Sequence, residues 1–311
     1  MAKQLRIDHF NHWPKLQDFR AEVDFRKRLE QFETNQLFFP YQIPPTTNKD
    51  IHIVISYLLD AIDSLPSRPD HAFDWTWRAF EYLATTSFGN GNITNSMRSV
   101  AANVLSPYFN SNSNAASGLY NLIENIPIQT CEYLLKRIIE SGPYTFAPGT
   151  HNNLTSYSKR LLFANGNPPV ISTALQTALA HLSVCYDYAD TTQRRNGASL
   201  LRKILHREQV ALAGGSVKLT PDDLVFFLLS GLGYAFRNDR AHAKSIAPFR
   251  SSYASIKTYA HCWFMFLLMY EIAFSLLHTP QSPHQLTGCP GQNFFDNNYA
   301  FTKLFKNHLG R

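Results

Sequence analysis

Residues 251–278, SSYASIKTYAHCWFMFLLMYEIAFSLLH, form one long helical pattern, and its part 260–277 is the one stretch of the chain that could be mistaken for a membrane-spanning helix. Its apolar part has only about the minimum length for a span, and it contains His261 and Glu271. A carboxylate inside a membrane is costly unless it has a partner. The stretch therefore predicts a buried core helix, apolar enough to need packing partners on more than one side.

The sequence before this helix predicts further helices that would pack against it. Long helical patterns occupy residues 168–189, 191–212 and 220–236. The last of them begins with Thr220 as a helix cap and Pro221 at the first helical position. Together with 251–278, these segments predict a four-helix bundle over residues 166–280.

Residues 1–165 also predict helices joined by short loops. Their helical patterns occupy residues 15–36, 49–66, 69–87, 97–109 and 128–142. Segments rich in Asn, Ser and Gly, such as NSNSNAASG at 110–118, predict loops. The tail 281–311 contains Pro and Gly too densely placed for a long helix. We therefore expect an all-α protein with three regions: 1–165 of unknown role, the bundle at 166–280 and an irregular tail at 281–311.

The composition gives a modest preference for anionic partners. The chain has 311 residues and a formal net charge of +6, a mild excess for its length. Its four cysteines are widely spaced and form no disulfide framework, as expected for a reducing cytoplasm. The N-terminal segment MAKQLRIDHFNHWPK lacks the apolar stretch of a secretory signal. We therefore expect a cytoplasmic protein without a membrane-bound part.

A cluster of charged residues follows the apolar helix at 220–236. The segment GYAFRNDRAHAKS, residues 233–245, places Arg237, Asn238 and His242 close together. Asn238 and His242 are four apart, so on a helix the amide could fix the imidazole tautomer. Arg237 and His242 are five apart, about 140° around a helix axis. Either the helix is broken here, or the site is shared between two copies of the chain.

The residue types in this segment suit phosphodiester chemistry. Histidine can take and return a proton near neutral pH. Arginine is always charged and can hold a phosphate through two donors. Together they supply what cleavage of RNA by its own ribose 2′-hydroxyl requires, namely a base and a cation beside the phosphate. This scheme needs no metal and no cofactor.

The segment FRNDRAH resembles the R-N-x-x-x-H form of the motif of HEPN domains. The resemblance covers roughly residues 166–280. It implies an all-α bundle that forms homodimers, with the motif near the start of the last long helix. It further implies a metal-independent endoribonuclease of toxin–antitoxin, abortive-infection or other anti-phage defence systems, which would make an antitoxin or defence-system protein a partner. Arg237, Asn238 and His242 take the three catalytic motif positions.

Other basic residues are candidates for RNA binding. Those near the motif are Arg240, Lys244 and Arg250. A second group, which includes Arg194, Arg195, Arg202 and Arg207, occupies the helix predicted at 191–212. Basic side chains can follow an RNA backbone, although a solvated helix face has the same composition. Lys257 is likewise either a phosphate contact or part of a solvated helix start. Lys244 also stands where some HEPN toxins have a Tyr that is modified by their antitoxin, so silencing by that route is not expected.

Two other classes of function remain open. The chain could be a HEPN module that binds a nucleotide or a partner protein without catalysis. It could also be a helical scaffold in which RNDRAH only caps and solvates a helix. The surroundings of His242 separate these classes. An enzyme needs His242 open to solvent in a basic cleft, whereas a scaffold would bury it or pair it with Asp239.

Overall fold

The protein is all-α. The computed structural model describes residues 2–12, 18–32, 36–89, 92–144, 154–164, 167–169, 171–213, 215–242 and 246–310. The helices are α1 (Ala2–Asn11), α2 (Arg20–Glu30), α3 (Lys49–Asp63), α4 (Pro69–Thr86), α5 (Ile93–Val100), α6 (Ser106–Ser111), α7 (Ser113–Glu124), α8 (Ile128–Ser141), α9 (Ser156–Leu162), α10 (Thr173–Val184), α11 (Thr191–Leu205), α12 (Pro221–Phe226), α13 (Tyr234–Ala241), α14 (Ile256–His278) and α15 (Gly291–Phe305).

Short irregular and extended segments complete the fold. Two π-helical segments join helices: Ala101–Leu105 lies between α5 and α6, and Phe227–Gly233 lies between α12 and α13. The strands form two antiparallel pairs, β1 (Phe163–Ala164) with β2 (Asn167–Pro169) and β3 (Val210–Leu212) with β4 (Gly215–Val217). Short 3₁₀ turns occupy Pro248–Arg250 and Lys306–His308.

Helix α14 is the central element of the core. Every residue from Thr258 to His278 is buried, which agrees with the prediction of a buried core helix. It packs mainly on α4, with α15, α2 and α7 around it. Within the described ranges it is the one helix long and apolar enough to cross a membrane, but its apolar part lies wholly inside the protein. Burial of each large apolar side chain, such as Phe264, contributes about 1.5–3 kcal/mol.

Glu271 is the exception on this apolar helix, because it is a carboxyl group with no exposure at all. Among the described residues, neither of its carboxyl oxygens accepts a hydrogen bond, and the buried Oδ1 of Asn298 also lacks a donor. Burial raises the pKa of Glu271 from 4.5 to about 8, while the neighbouring Asn298 side chain opposes this rise. Because this pKa lies above 7, Glu271 holds its proton and is neutral at pH 7.

The core is continuous across the predicted boundary near residue 165. One buried cluster contains residues from Ala21 to Leu309. The helices predicted at 168–189 and 191–212 are present only over the shorter ranges of α10 and α11, and residues 210–212 form β3 instead. α10 and α11 pack on α8, and α14 packs on α4. The C-terminal helices therefore share their core with the N-terminal half of the chain.

The prediction of an irregular tail is wrong, since residues 291–305 form α15. Apart from Gly310, the prolines and glycines of the tail lie before this helix or at its first position, and Phe294 and Phe301 then occupy one buried face. The prediction of a loop at 110–118 is also wrong except at Asn112, since residues 110–111 end α6 and α7 begins at residue 113. α7 and α15 pack closely because Gly118 has no side chain: a Cβ there would lie 2.7 Å from Phe294 Cβ.

The helix that carries the motif does not break at its glycines. α12, the π-helical segment Phe227–Gly233 and α13 form one continuous helical run from Pro221 to Ala241. Gly233 allows this run to approach the core, since a Cβ there would lie 3.2 Å from Met269 Sδ and 3.5 Å from Trp77. The run therefore presents its last two turns beside α4.

Candidate functional site

The motif occupies the C-terminal end of α13. His242 is the residue that caps this helix, and its backbone N–H donates to the carbonyl oxygen of Asn238 at 3.0 Å. The resemblance to HEPN domains implies a motif near the start of the last long helix. Here the motif ends its helix, and the next long helix, α14, begins only at Ile256. The local position of the motif therefore departs from the family pattern.

Arg237 lies in a cleft between α4 and α13, called the motif cleft below. The cleft has a volume of about 620 Å³. Its charged walls consist of Arg68, Asp70, His71, Asp74, Arg78, Glu81, Arg237 and Arg240. Four guanidinium groups against three carboxylates leave one excess positive charge while His71 is neutral. Ala241 and the segment 246–248 close the cleft on the α13 side.

The guanidinium of Arg237 is held loosely enough to bind a ligand. Its Nη1 donates to Asn238 Oδ1 at 3.2 Å, and its Nη2 lies 3.8 Å from Glu81 Oε2. Its Cζ also lies 5.9 Å from the ring centre of Tyr234. The Asn238 amide oxygen thus contacts Arg237, whereas the sequence predicted that Asn238 would orient His242. An anionic ligand that takes the place of the Glu81 carboxylate beside Arg237 Nη2 would leave the contacts of Arg237 with Asn238 and Tyr234 intact.

His242 is exposed, and Asp239 is not its partner. Asp239 is buried; its Oδ2 accepts a hydrogen bond from the Tyr133 hydroxyl at 2.8 Å and lies 3.2 Å from Arg137 Nε. Burial raises the pKa of Tyr133, and the charge of Asp239 raises it further. His242 directly follows Ala241, which lines the motif cleft. His242 is thus open to solvent, as expected for an enzyme, but it is not among the residues that line the motif cleft.

Arg240, predicted as an RNA contact, is instead paired with carboxylates of α4. Its Nε and Nη2 donate to the two oxygens of Asp74 at 2.7 and 2.5 Å, and Nη2 lies 3.2 Å from Asp70. Asp70 also accepts two hydrogen bonds from Arg68, at 2.9 and 2.8 Å. Burial would raise the pKa of Asp70, but the hydrogen bonds from Arg68 and the charge of Arg240 lower it overall. This ion network joins the two walls of the cleft.

His71 belongs to the cleft and was not predicted from the sequence. Its Nε2 lies 2.6 Å from Arg68 Nη2 and 3.8 Å from Asp70 Oδ2. Burial lowers the pKa of His71, and the charges of Arg68 and Arg240 add to this effect. The imidazole is therefore neutral at pH 7, with Nε2 as a hydrogen-bond acceptor. The charged stripe at residues 70, 74, 78 and 81 of α4, spaced for one helix face, is the sequence signal that could have identified this wall.

The other predicted RNA contacts lie outside the motif cleft. Arg250 lines a separate pocket, where its guanidinium stands 5.6 Å from the ring centre of Phe19. Arg195 is exposed on α11, whereas the Nε of Arg202 on the same helix is buried. Arg207 lies 5.0 Å from the ring centre of Tyr120. Lys244 falls outside the described residues.

Comparison of the chain with protein-family models, with curated proteins and with solved structures finds no match. In the described part of the chain, no three His, Cys, Asp or Glu side chains are grouped so that they could hold a metal ion. The chemistry of the site must therefore be argued from its own side chains.

Proposed function

We propose that the protein is a metal-independent endoribonuclease of the HEPN type, with Arg237 and His242 as its catalytic residues. One observation carries the proposal: Arg237 lines a cleft of about 620 Å³, and the exposed His242 directly follows Ala241, which lines the same cleft. The resemblance of FRNDRAH to the HEPN motif adds to this argument.

In the proposed reaction, His242 removes the proton from a ribose 2′-hydroxyl. The 2′-oxygen attacks the adjacent phosphorus, and the bond from phosphorus to the 5′-oxygen breaks. Arg237 stabilises the negative charge on the phosphate, and the leaving 5′-oxygen takes a proton from a second acid. The products are a 2′,3′-cyclic phosphate and a 5′-hydroxyl. We expect a homodimer in which His242 of a second copy is that acid.

The proposal implies RNA as substrate and a role in toxin–antitoxin or anti-phage defence. The defence role, and an antitoxin or other defence protein as a partner, follow from the resemblance alone. The positive charge left over in the motif cleft suits an RNA phosphate. Arg78 contributes to this charge, with its guanidinium 4.8 Å from the ring centre of Trp75.

A non-catalytic nucleotide-binding module is the second candidate. Arg68 and Arg240 are both paired with carboxylates, which neutralises part of the cleft. Arg237 and Arg78 could then hold the phosphates of one small nucleotide without any cleavage. This candidate differs from the first in that the His242 side chain has no essential role.

Incubation of the purified protein with total RNA in excess chelator tests the proposal. Cleavage should continue without metal and leave 2′,3′-cyclic phosphate ends. His242→Ala should lower the rate about 10²- to 10⁴-fold, the usual effect of removing a positioned acid or base. His52→Ala, which removes another exposed histidine, should cleave at the wild-type rate.

Two results would contradict the ribonuclease. A wild-type rate in His242→Ala would remove His242 from the mechanism, and a strict metal requirement would exclude the proposed chemistry. Absence of cleavage combined with tight binding of ADP, weakened by Arg237→Gln, would favour the nucleotide-binding module.

A further inference from the structure

A second cationic cleft lies between α8, α11 and the start of α14, and it is called the α11 cleft below. Its volume is about 460 Å³. Arg194, Arg195 and Lys257 line it, together with Glu132 as the carboxylate among its lining residues. Three cations against one carboxylate leave two positive charges. Two residues that the sequence suggested only as separate basic positions, Arg195 and Lys257, thus face one cavity from different helices.

The ion pairing in the α11 cleft is weak. Arg194 Nε lies 3.9 Å from Glu132 Oε1, at the limit of an ion pair, and its Nη1 donates to the carbonyl of Tyr188 at 3.3 Å. Within the described residues, no carboxylate lies within 4.0 Å of the charged groups of Arg195 or Lys257. The motif cleft differs, because its Arg68 and Arg240 are tightly paired. The α11 cleft is therefore the stronger candidate for holding an anion from solution.

Side chains from three helices supply the positive charge of the α11 cleft. Its lining residues come from the first two turns of α8, the first three turns of α11 and the first turn of α14. The starts of α8 and α11 are already occupied: the backbone N–H of Ile128 donates to the Leu309 carbonyl at 2.9 Å, and the Asp190 side chain accepts from the backbone N–H of Gln193 at 2.8 Å. Gln129 links α8 to α14 at the edge of the cleft, since its amide donates to the Thr258 hydroxyl at 3.4 Å.

We infer that the α11 cleft is a phosphate-binding site that takes the backbone of single-stranded RNA. Phosphate matches the planar donor fork of Arg195 and the compact charge of Lys257. The cleft is also next to the motif helix through α8. Gln129 and Glu132 of α8 line the cleft, whereas Tyr133 of the same helix holds Asp239 on α13. Helix α8 therefore contacts both the α11 cleft and the helix that carries the motif. The choice of RNA rests on the proposed function, but the phosphate site itself does not.

The test is binding of single-stranded RNA of about 20 nucleotides by full-length His242→Ala protein in chelator, so that cleavage does not interfere. The double variant Arg195→Gln/Lys257→Gln removes two cations from the cleft. Each phosphate contact contributes about 0.7 to the slope of log affinity against log salt for single strands, so the slope should fall by about 1.4. The Kd of the double variant is then less sensitive to salt than that of the His242→Ala parent. The ratio of the two Kd values, variant over parent, should fall about 7-fold between roughly 50 and 200 mM salt.

The matched control is Arg20→Gln/Lys218→Gln, which removes two exposed cations outside the α11 cleft. It should keep the slope of the parent protein. Parallel titrations with ADP and with inorganic phosphate show whether the site binds the phosphates of an RNA strand or those of a free nucleotide or ion. A loss of affinity for RNA supports the inference as stated, whereas a loss for ADP or phosphate alone replaces RNA by a free nucleotide or ion.

Equal slopes and affinities in the two double variants would overturn the phosphate site. The same conclusion holds if the parent protein binds neither RNA nor the small phosphates. Because the readout is binding by protein with a disabled motif, these outcomes do not depend on whether the wild-type protein cleaves RNA. If the protein does not cleave RNA but the α11 cleft does bind phosphate, Arg195→Gln/Lys257→Gln should still weaken phosphate binding.

Discussion

Replacement of Glu271 by Gln should stabilise the protein, and by an amount that depends on pH. The folded protein holds a proton on Glu271 up to about pH 8, whereas the unfolded chain releases it near pH 4.5. Between these two values the folded state binds more protons, so the free energy of unfolding falls as the pH rises. Gln has nearly the same shape and is neutral in both states, and its amide can donate to Asn298 Oδ1.

The expected magnitude follows from this pH interval. Each pH unit between the two pKa values changes the free energy of unfolding by about 1.36 kcal/mol. At pH 7 the wild-type protein has therefore lost about 3 kcal/mol relative to pH 4.5. Glu271→Gln lacks this loss. The two proteins should have similar stabilities near pH 4.5 and differ by about 3 kcal/mol at pH 7.

Urea denaturation at a series of pH values from 4.5 to 8 measures this difference. The exposed Glu30 supplies a control, because Glu30→Gln should follow the wild-type pH dependence. If Glu271→Gln and the wild type change in parallel over the whole range, Glu271 does not carry a buried proton. A variant that is less stable than the wild type at pH 7 would show that the carboxyl group has a partner that Gln cannot replace.

The ion network of the motif cleft and the assembly state give two further predictions. Arg240→Met should destabilise the protein by about 1.5–3 kcal/mol in urea denaturation, because it removes the bidentate partner of the half-exposed Asp74 and one of the two cations beside the buried Asp70. Arg78→Met, which removes an exposed cation of the same cleft, should change stability by no more than about 0.5–1 kcal/mol, and equal losses in the two variants would refute a special role for Arg240. Light scattering should give the mass of a homodimer, and an active monomer at the assay concentration would contradict a site shared between two copies.

The helices that the sequence predicted best are those with strong local patterns. α4 and α14 have apolar residues at helical spacing over many turns, so their own residues determine both their position and their burial. α7 and α15 were missed because their local composition, rich in Asn, Ser and Gly or preceded by Pro and Gly, is typical of loops. They are stabilised by each other: Gly118 admits Phe294, and the buried Asn298 amide donates to the Gly118 carbonyl at 2.9 Å.

In the candidate site, too, the residues in one short segment could be predicted from the sequence, whereas those brought together by packing could not. Arg237 and His242 were found because the motif is a short pattern within one segment. The partner of Arg240 could not be found, since Asp74 lies 166 positions away and only the packing of α13 on α4 brings them together. His71 was missed for the same reason. The α11 cleft was missed because Arg195 and Lys257 meet only through the packing of α11 and α14 on α8.

The π-helical segment Phe227–Gly233 determines the rotational phase of the motif. Its turns are wider than those of an α-helix, because their hydrogen bonds join residues five apart instead of four. The segment lies between α12 and α13 and so sets the angle at which α13 continues the helix. One residue of an α-helix corresponds to about 100° of rotation. A π turn holds about one residue more than an α turn, so loss of one residue from this segment could be absorbed by a return to α-helical turns. Loss of one residue from Tyr234–Phe236, which is regular α-helix, would instead turn the side chains that follow by about 100°. Arg237 would then leave the cleft and Arg240 would leave Asp74, so an intact RNDRAH sequence is informative about the site only where the spacing of the residues before it is also kept.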